Sequence, residues 1–325
     1  MAPSAEPIFA VTNRLPEPAQ TALREAGELR MDERVEAIPR AELLGLVAGA
    51  DAILTLLQDR VDEELLEATG PQLRCVANVA VGYDNVDLEA AARRQVVVTN
   101  TPGVLEDATA DLTLGLILAA TRRLAEGDRL IRAGRPWNWG LWFMLGTGLR
   151  GKLLGIVGLG GIGRRVAERA RAFGMEIAYH SRSPAPAEVV AELEAERLPL
   201  EELLARADVL SLHCPLTPET HHLLGAAELA TMKPGAVLVN AARGAVVDEG
   251  ALAEALAAGR IAAAGLDVFE HEPRVEPALL ALENVVLTPH LGSGTVETRT
   301  AMAELAARNA ISVLRGAGPI TPVAS

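Results

Sequence analysis

Three polar residues in the second half of the sequence have side chains suited to acid–base chemistry on a carbonyl group. Arg243, Glu272 and His290 lie in the stretches NAARGAVVDEGAL, GLDVFEHEP and LTPHLGSGT, each near the end of a predicted strand. Parallel α/β sheets bind their ligands at the carboxyl ends of the strands. Reduction of a 2-oxo acid requires a fixed cation for its carboxylate and carbonyl groups, and a protonated imidazole near the carbonyl oxygen. A carboxylate beside that imidazole favours the charged ring and holds its tautomer.

Each of these residues also has a purely structural interpretation. Arg243 could form an ion pair at a strand end, Glu272 could be a loop acid before Pro273, and His290 could be a buried, hydrogen-bonded histidine. Their occurrence together in one nucleotide-binding segment favours the catalytic interpretation. We therefore take all three as the candidate catalytic residues.

The stretch GIVGLGGIG, residues 155–163, predicts a dinucleotide-binding turn between a strand and a helix. Gly158 permits the tight turn, Gly160 lets the backbone approach a pyrophosphate, and Gly163 lets the helix pack closely on the strand. The helix N-terminus, with Gly161 and Ile162, offers N–H groups and a partial positive charge to the phosphates. A tight turn without a ligand would also use glycines, but the strand–turn–helix context favours the nucleotide.

The end of the next strand predicts which coenzyme is preferred. An enzyme that reads the free ribose hydroxyls of NAD places an acidic residue there, whereas this chain has Ser181, Arg182 and Ser183. A guanidinium and two hydroxyl groups suit a 2′-phosphate. We therefore expect NADPH to be preferred, with NADH possible; the alternative is that Arg182 is a solvated surface arginine.

The surrounding pattern predicts an α/β protein with two Rossmann-like, doubly wound parallel sheets, because short aliphatic runs alternate with amphipathic segments throughout the chain. One group of strands is expected at 8–12, 52–57, 74–81 and 96–100. A second group is expected at 153–160, 176–180, 208–214, 236–242, 262–268 and 284–290. Long helices are predicted from Glu106 to about Gly127 and from Thr295 to Leu314, the latter returning to the first domain.

Composition excludes several classes of protein. The chain has 325 residues, 50% of them hydrophobic, which is enough for two packed cores. A formal net charge of −13 disfavours nucleic-acid and anionic-membrane partners, because both need a basic surface. Cys75 and Cys214 are expected to be reduced buried thiols, and no zinc-type spacing is present, so no metal is expected. The first residues lack a signal-peptide pattern and the apolar run 112–120 is too short to cross a bilayer, which predicts a cytoplasmic protein.

Several long motifs together resemble the D-isomer-specific 2-hydroxyacid dehydrogenases, from about residue 50 onward. They are GLGGIG, LHCPLTPETHHL, MKPGAVLVNAARGAVVDEGALAEAL, AAAGLDVFEHEP and LTPHLGSGTVETR. Within that family, the stretches ILTLLQDRVDEELLEA, VGYDNVDLEAA and GRPWNWGLWFMLGTGL are most similar to the glyoxylate/hydroxypyruvate reductases. The resemblance implies NAD(P)H-dependent reduction of a small 2-oxo acid to the D-2-hydroxy acid.

The resemblance also implies an architecture and a set of contacts. Residues 1–103 and 291–325 would form a flavodoxin-like substrate domain, with the nucleotide domain, 104–290, inserted. Arg243 would bind the substrate, while Glu272 and His290 would be the acid–base pair. Further substrate contacts would come from Leu57, Val81, Gly82 and Ser293, and further cofactor contacts from Thr109, His213, Pro215, Thr220, Ala241, Asp267 and Gly292. The resemblance further implies a homodimer, and Trp139 is the candidate to reach the active site of the neighbouring subunit.

Two other functions are compatible with the same residues. One is an NAD-linked dehydrogenase of another D-2-hydroxy acid, such as lactate or phosphoglycerate; the latter is less expected because no regulatory extension follows Ser325. The other is a non-catalytic dinucleotide sensor like the corepressor relatives of the family. The presence of Arg243, Glu272 and His290 disfavours the sensor.

Overall fold

The computed structural model describes residues 6–323, which form two compact units. Unit 1 contains residues up to 105 and from 294 onward, and unit 2 contains residues 106–293. The boundaries expected from the sequence lie after residues 103 and 290. Each unit is built on one parallel sheet, so the predicted two-domain α/β fold is confirmed.

Unit 1 contains a five-stranded sheet. Its strands are β1 (Ile8–Val11), β2 (Glu28–Met31), β3 (Ala52–Thr55), β4 (Cys75–Asn78) and β5 (Val97–Thr99). They are all parallel and their order is β2-β1-β3-β4-β5, which is the flavodoxin-like order. Strands β3 and β4 are buried at every position, as expected for the centre of a sheet covered on both faces.

Helices cover both faces of this sheet. They are α1 (Glu17–Ala26), α2 (Arg40–Val47), α3 (Glu63–Thr69), α4 (Leu88–Arg93) and α13 (Val296–Leu314). The predicted C-terminal helix is present, and Thr295 caps it by accepting a hydrogen bond from the Thr298 N–H. Helix α13 packs against α1, β3 and β4, and the chain then reaches β5, where the Val323 N–H donates to the Val98 carbonyl at 2.9 Å. Residues from 294 onward thus pack in the same unit as residues up to 105.

Unit 2 contains a seven-stranded parallel sheet. Its strands are β6 (Leu153–Val157), β7 (Glu176–His180), β8 (Glu196–Arg197), β9 (Val209–Leu212), β10 (Val237–Asn240), β11 (Ala263–Leu266) and β12 (Val285–Leu287). The order β12-β11-β10-β9-β6-β7-β8 is the Rossmann order with one additional strand. The order reverses between β6 and β9, and the carboxyl ends of these strands are the expected binding edge.

The helices of unit 2 pack over two apolar cores, except α6, which has no buried residue. They are α5 (Glu106–Thr121), α6 (Leu124–Arg132), α7 (Gly161–Ala172), α8 (Ala187–Leu193), α9 (Leu200–Arg206), α10 (Ala226–Thr231), α11 (Glu249–Ala257) and α12 (Pro277–Leu280). Among the described residues, no helix has the length and apolar content needed to cross a bilayer.

The prediction of a single helix from Glu106 to about Gly127 is wrong. The structure has two helices, α5 and α6, separated at Arg123, which adopts the left-handed conformation with φ of 55°. The Thr121 carbonyl accepts its hydrogen bond from the Thr147 N–H at 2.9 Å. A long-range hydrogen bond thus replaces the next turn of the helix, and no local sequence signal marks that break.

Two strands were absent from the sequence prediction, β2 and β8. Both lie at sheet edges, and their sequences ELRM and ER are charged and largely accessible, so they lack the aliphatic runs that identified the other strands. The predicted strand 74–81 is also too long, since the ladder of β4 ends at Asn78 and the apolar residues 79–81 lie in a buried loop.

The two cysteines are free thiols in different units. Cys75 is buried and Cys214 is half-buried. Burial raises the pKa of Cys75 to about 12 and that of Cys214 to about 11, so both are protonated near neutral pH.

Candidate active site

His290 and Glu272 form a hydrogen-bonded pair in unit 2. The His290 Nδ1 atom lies 2.9 Å from Glu272 Oε2, and the Phe269 N–H donates to Glu272 Oε1 at 3.0 Å. Both carboxylate oxygens therefore have a partner, and the orientation of the carboxylate is fixed. Because Nδ1 faces the carboxylate, Nε2 is the ring nitrogen that can face a reacting group. The predicted acid–base pair is thus brought together.

The charge state of Glu272 follows from its surroundings. Burial raises the pKa of this carboxyl, but the hydrogen bond and charge of His290, the hydrogen bond from the Phe269 N–H and the charge of Arg243 together lower it by more. The net effect places the pKa of Glu272 below its ordinary value, so the group is an anion at neutral pH. Arg243 acts on the same carboxylate through its charge, which places the third candidate residue in the same electrostatic environment.

The loop that carries His290 is organised by a buried aspartate. The Asp267 carboxylate accepts hydrogen bonds from the Leu291 N–H at 2.7 Å, the Gly292 N–H at 2.8 Å and the Thr288 hydroxyl at 2.7 Å. His290 itself has a positive φ of 51°. A left-handed backbone at a residue other than glycine costs free energy and is frequent at functional sites. The three hydrogen bonds to Asp267 maintain it.

Thr109, Asp267 and Gly292, three of the predicted cofactor residues, lie together. A Cβ atom on Gly292 would lie 3.2 Å from Thr109 Cγ2 and 3.4 Å from Asp267 Oδ2. The close packing explains a small residue at Gly292. The prediction for Asp267 did not include the hydrogen bonds by which it shapes the His290 loop.

Arg243 follows strand β10 and immediately precedes a short 3₁₀ turn, Gly244–Val246. Its Nη1 donates to the Ala242 carbonyl at 2.8 Å, and its own carbonyl accepts from Asn240 Nδ2 at 2.9 Å. A Cβ atom on Gly244 would lie 1.9 Å from the carbonyl carbon of Phe269. Only glycine therefore allows the turn that follows Arg243 to contact the Phe269 backbone, in the segment that leads to Glu272. Sequence analysis missed Gly244, although its position directly after Arg243 was a usable signal.

The glycine loop has the geometry of an anion-binding turn. Gly158 has a φ of 96°, and a Cβ atom there would lie 2.7 Å from the Cys214 nitrogen. A Cβ atom on Gly163 would lie 2.3 Å from the Gly158 carbonyl oxygen, whereas one on Gly160 would meet nothing within 4 Å. Two glycines are thus required by packing, and Gly160 faces open space. Helix α7 begins at Gly161, and no side chain caps its first turn, which includes Ile162. These features fit the pyrophosphate of a dinucleotide.

The predicted 2′-phosphate residues follow β7. The Ser181 hydroxyl accepts a hydrogen bond from the Leu159 N–H at 2.9 Å, so it also holds the glycine loop. Arg182 and Ser183 are exposed. Arg197, which the sequence analysis did not identify, donates to the carbonyls of Ser181 and Arg182 at 3.1 and 3.2 Å. A second guanidinium therefore lies at the same turn.

Four further predicted cofactor residues lie after strands β9 and β10. His213 Nε2 pairs with the Ser211 hydroxyl at 2.8 Å, and its buried Nδ1 has no hydrogen-bond partner among the described residues. Burial lowers the pKa of His213 to about 3, so its ring is neutral. The Thr220 hydroxyl donates to the Pro215 carbonyl at 2.7 Å and closes the loop. Ala241 is buried directly after β10.

The three predicted substrate contacts of unit 1 lie in loops that asparagine side chains support. Asn100 Nδ2 donates to the Val81 carbonyl at 2.8 Å, and Asn78 Nδ2 donates to the Gly82 carbonyl at 2.9 Å. Because the carbonyl and N–H of a trans peptide point in opposite directions, the Gly82 N–H points away from Asn100. The half-buried Leu57 lies in the loop whose Leu56 carbonyl accepts from Asn85 Nδ2 at 3.0 Å. These three asparagines were not found from the sequence.

Ser293 and Trp139 have different surroundings. Ser293 is half-buried directly after Gly292, at the end of unit 2. Trp139 is 79% exposed, in a segment between α6 and β6 that also exposes Trp142. Trp137 stacks on Phe143, with ring centroids 6.1 Å apart. The structure thus places Trp139 on the surface of its own chain and does not bring it to the catalytic pair.

Comparison with known proteins agrees with this description. The profile of the D-isomer specific 2-hydroxyacid dehydrogenase, NAD binding domain, matches residues 114–292, and the chain is an NAD(P)-dependent oxidoreductase. A glyoxylate reductase of Thermococcus litoralis is 49% identical over 319 residues, covering 97% of this chain and 96% of the relative. The chain therefore belongs to the D-isomer-specific 2-hydroxyacid dehydrogenase family.

Solved structures show the same fold. A protein from Thermus thermophilus has a TM-score of 0.90 and 48% identity, covering 98% of this chain and all of that one. An NADPH-dependent glyoxylate/hydroxypyruvate reductase from Sinorhizobium meliloti, in complex with NADP and malonate, has a TM-score of 0.85 and 36% identity. That match covers 98% of this chain and 97% of that one.

Proposed function

We propose that this protein reduces glyoxylate and hydroxypyruvate to glycolate and D-glycerate, with NADPH as the preferred coenzyme. The observation that carries the proposal is the His290–Glu272 hydrogen bond, beside which the turn that follows Arg243 packs through Gly244 on the Phe269 backbone. The relatives named glyoxylate reductase favour glyoxylate over lactate or phosphoglycerate, and the glyoxylate/hydroxypyruvate reductase from Sinorhizobium meliloti supports hydroxypyruvate as the second substrate. They also favour a catalytic role over that of a dinucleotide sensor.

In this reaction His290 donates a proton from Nε2 to the carbonyl oxygen of the substrate as that oxygen gains electrons. Glu272 holds Nδ1 and stabilises the charged imidazole, because its own carboxylate is ionised at neutral pH. Arg243 binds the substrate through its guanidinium. When bound, the reduced nicotinamide supplies the hydride. Leu57, Val81, Gly82 and Ser293 are retained as proposed substrate contacts.

The residues proposed to hold the dinucleotide form three groups. The glycine loop takes the pyrophosphate, since Gly160 faces open space before an uncapped helix. Thr109, Asp267 and Gly292 take the nicotinamide half. His213 and Pro215 are proposed to border the adenine, where the neutral ring of His213 offers a packing surface without charge. Thr220 and Ala241 are proposed as further cofactor contacts.

A panel of 2-oxo acids tests the proposed function. Consumption of NADPH and NADH should be followed with glyoxylate, hydroxypyruvate, pyruvate and 3-phosphohydroxypyruvate. We expect glyoxylate and hydroxypyruvate to give the highest kcat/KM. Higher kcat/KM with pyruvate or 3-phosphohydroxypyruvate would contradict the proposed substrates. No turnover with any of these acids would favour the non-catalytic dinucleotide sensor.

Replacement of Glu272 by Gln tests the acid–base pair through the pH profile. The low pKa of Glu272 means that the wild-type protein provides an anion beside His290 throughout the neutral range, and Gln removes it. The imidazole then loses the anion beside it, so the decline of reduction with rising pH should move to lower pH than in the wild type. The measurement is kcat/KM for glyoxylate against pH. An unchanged profile would show that the pair does not control protonation.

We further propose that the protein is a homodimer whose interface includes the aromatic segment 137–143. The exposed tryptophans Trp139 and Trp142 are 79% and 87% accessible, and such apolar surface is typical of an interface. Within this dimer, Trp139 would contact the substrate site of the partner subunit. A cytoplasmic location is proposed on the sequence alone.

Light scattering at micromolar concentration tests the dimer. We expect about twice the mass of one chain, and a shift toward the monomer when Trp139 and Trp142 are both replaced by Ser. Phe173→Ser is the matched control, because Phe173 is an exposed aromatic residue on a different part of unit 2. A fully active wild-type monomer would contradict the proposal.

A further inference from the structure

Two adjacent histidines and a glutamate form a cluster of nitrogen and oxygen donors in unit 2, separate from the catalytic pair. His222 Nε2 lies 3.0 Å from Glu270 Oε1, and His221 Nε2 lies 4.0 Å from the same oxygen. One donor atom from each of the three residues lies within 4.8 Å of the other two. The sequence analysis gave none of them a role and expected no metal.

The backbone brings both imidazoles to the same side. The His221 N–H donates to the Thr217 carbonyl at 2.9 Å, and the His222 N–H donates to the Ala245 carbonyl at 2.8 Å. His222 has a φ of 48°, in the left-handed region. Neighbouring side chains of a strand point to opposite faces, whereas here the two rings stack with centroids 4.1 Å apart. The unfavourable backbone conformation is thus used to direct two consecutive imidazoles toward one carboxylate.

A backbone hydrogen bond holds the third donor residue, Glu270, in place. Its N–H donates to Glu249 Oε1 at 2.8 Å, and its side chain is 20% exposed. The side chains of His221 and His222 are 53% and 37% exposed. The cluster therefore consists of a partly buried anionic oxygen and two accessible imidazoles, which leaves a path by which an ion can enter from solvent.

We propose that His221, His222 and Glu270 bind a divalent transition metal ion, with zinc as the best fit and water as the remaining ligand. Two nitrogens and one carboxylate oxygen are a common donor set of zinc, whereas magnesium and calcium prefer oxygen alone. Donors at zinc distances in a tetrahedral site are separated by about 3.3 Å. The His222–Glu270 separation of 3.0 Å is already near that value, and the His221–Glu270 separation of 4.0 Å must shorten, which rotation of the exposed His221 ring allows.

The ion would connect two segments of unit 2. One is the turn that contains both histidines, and the other is the segment that continues from Glu270 to Glu272. We therefore expect the ion to stabilise unit 2 against unfolding, because it binds donors that only the folded chain brings together. The site does not depend on the reaction proposed above.

Calorimetry on the metal-free, untagged chain tests the site. Zinc chloride should bind with one-to-one stoichiometry, and cobalt should give the visible absorption of a four-coordinate ion. His221→Ala and Glu270→Gln should each weaken zinc binding by at least about tenfold. The matched control is His271→Ala, because His271 is an exposed histidine next to Glu270 in sequence but outside the cluster.

Thermal unfolding gives a second readout. Zinc should raise the Tm of the wild-type protein and of His271→Ala by several degrees, and that of His221→Ala by clearly less at the same zinc concentration. His221 is more than half exposed, so this variant is expected to fold, and circular dichroism verifies it. Absence of saturable binding, or equal binding in His221→Ala and the wild type, would overturn the proposal. Loss of binding in His271→Ala alone would also overturn it.

Discussion

Replacement of His290 by Gln should lower kcat for glyoxylate and hydroxypyruvate by roughly 10²-fold or more, because glutamine has no proton to donate at the pH of the reaction. Gln keeps a polar side chain of similar reach, so the loop held by Asp267 should be retained. The dissociation constant of the reduced coenzyme, measured by fluorescence, should remain nearly the same. The measurement is steady-state reduction with both substrates at saturating coenzyme.

His271→Gln is the matched control for this variant, since it replaces an exposed histidine outside the catalytic pair. It should retain wild-type kcat. Near-normal turnover of His290→Gln would remove His290 from the mechanism. A large loss of coenzyme affinity would instead indicate that the substitution had distorted the loop.

Replacement of Arg182 by Ala should abolish most of the preference for NADPH. A guanidinium bonded to the 2′-phosphate contributes about 1.5–3 kcal/mol that NADH cannot obtain, which corresponds to roughly 10- to 150-fold in kcat/KM. The variant should raise the KM for NADPH and leave that for NADH nearly unchanged. In the wild type the preference should decrease as salt is added, because Arg182 is exposed.

Two comparisons sharpen this experiment. Ser181→Asp should reverse the preference, since a carboxylate there accepts ribose hydroxyls and repels a phosphate. Arg132→Ala is the matched control, because Arg132 is an exposed arginine on α6 that pairs with Asp128. Equal kcat/KM for NADH and NADPH in the wild type would refute the predicted preference. A preference that persists in Arg182→Ala would point to Arg197, which lies at the same turn.

The residues of the candidate site that could take part in the reaction or bind the cofactor could be predicted from the sequence. His290, Glu272 and the glycine loop stand out because each is polar, or unusually small, at the end of an aliphatic strand. The supporting residues do not stand out in this way. Asn100 donates to the carbonyl of Val81, which lies far from it in sequence, so no local pattern identifies its role. Gly244 packs on the distant Phe269 backbone, and its position beside Arg243 is the one sequence signal that it gives.

In the fold, too, elements with a local sequence pattern were predicted, and features that depend on distant contacts were not. Central strands such as β3 and β9 were predicted, because burial on both faces requires continuous aliphatic runs. The edge strands β2 and β8 were not, because one side of each is free of the sheet and tolerates charged residues. The break at Arg123 depends on the distant Thr147 N–H, and therefore could not be read from the helix itself.

The return of helix α13 to unit 1 has a consequence for the order of folding during synthesis. Unit 2 is one continuous segment, 106–293, and all its strands have been synthesised before α13 is made. Unit 1 cannot be completed until α13 has been synthesised, because α13 covers β3 and β4 and the Val323 N–H donates to β5. Domains fold as units during translation, and contacts between distant segments form slowly. The nascent chain should therefore complete its second unit first, while the first 105 residues keep an apolar sheet face uncovered and in need of protection by chaperones.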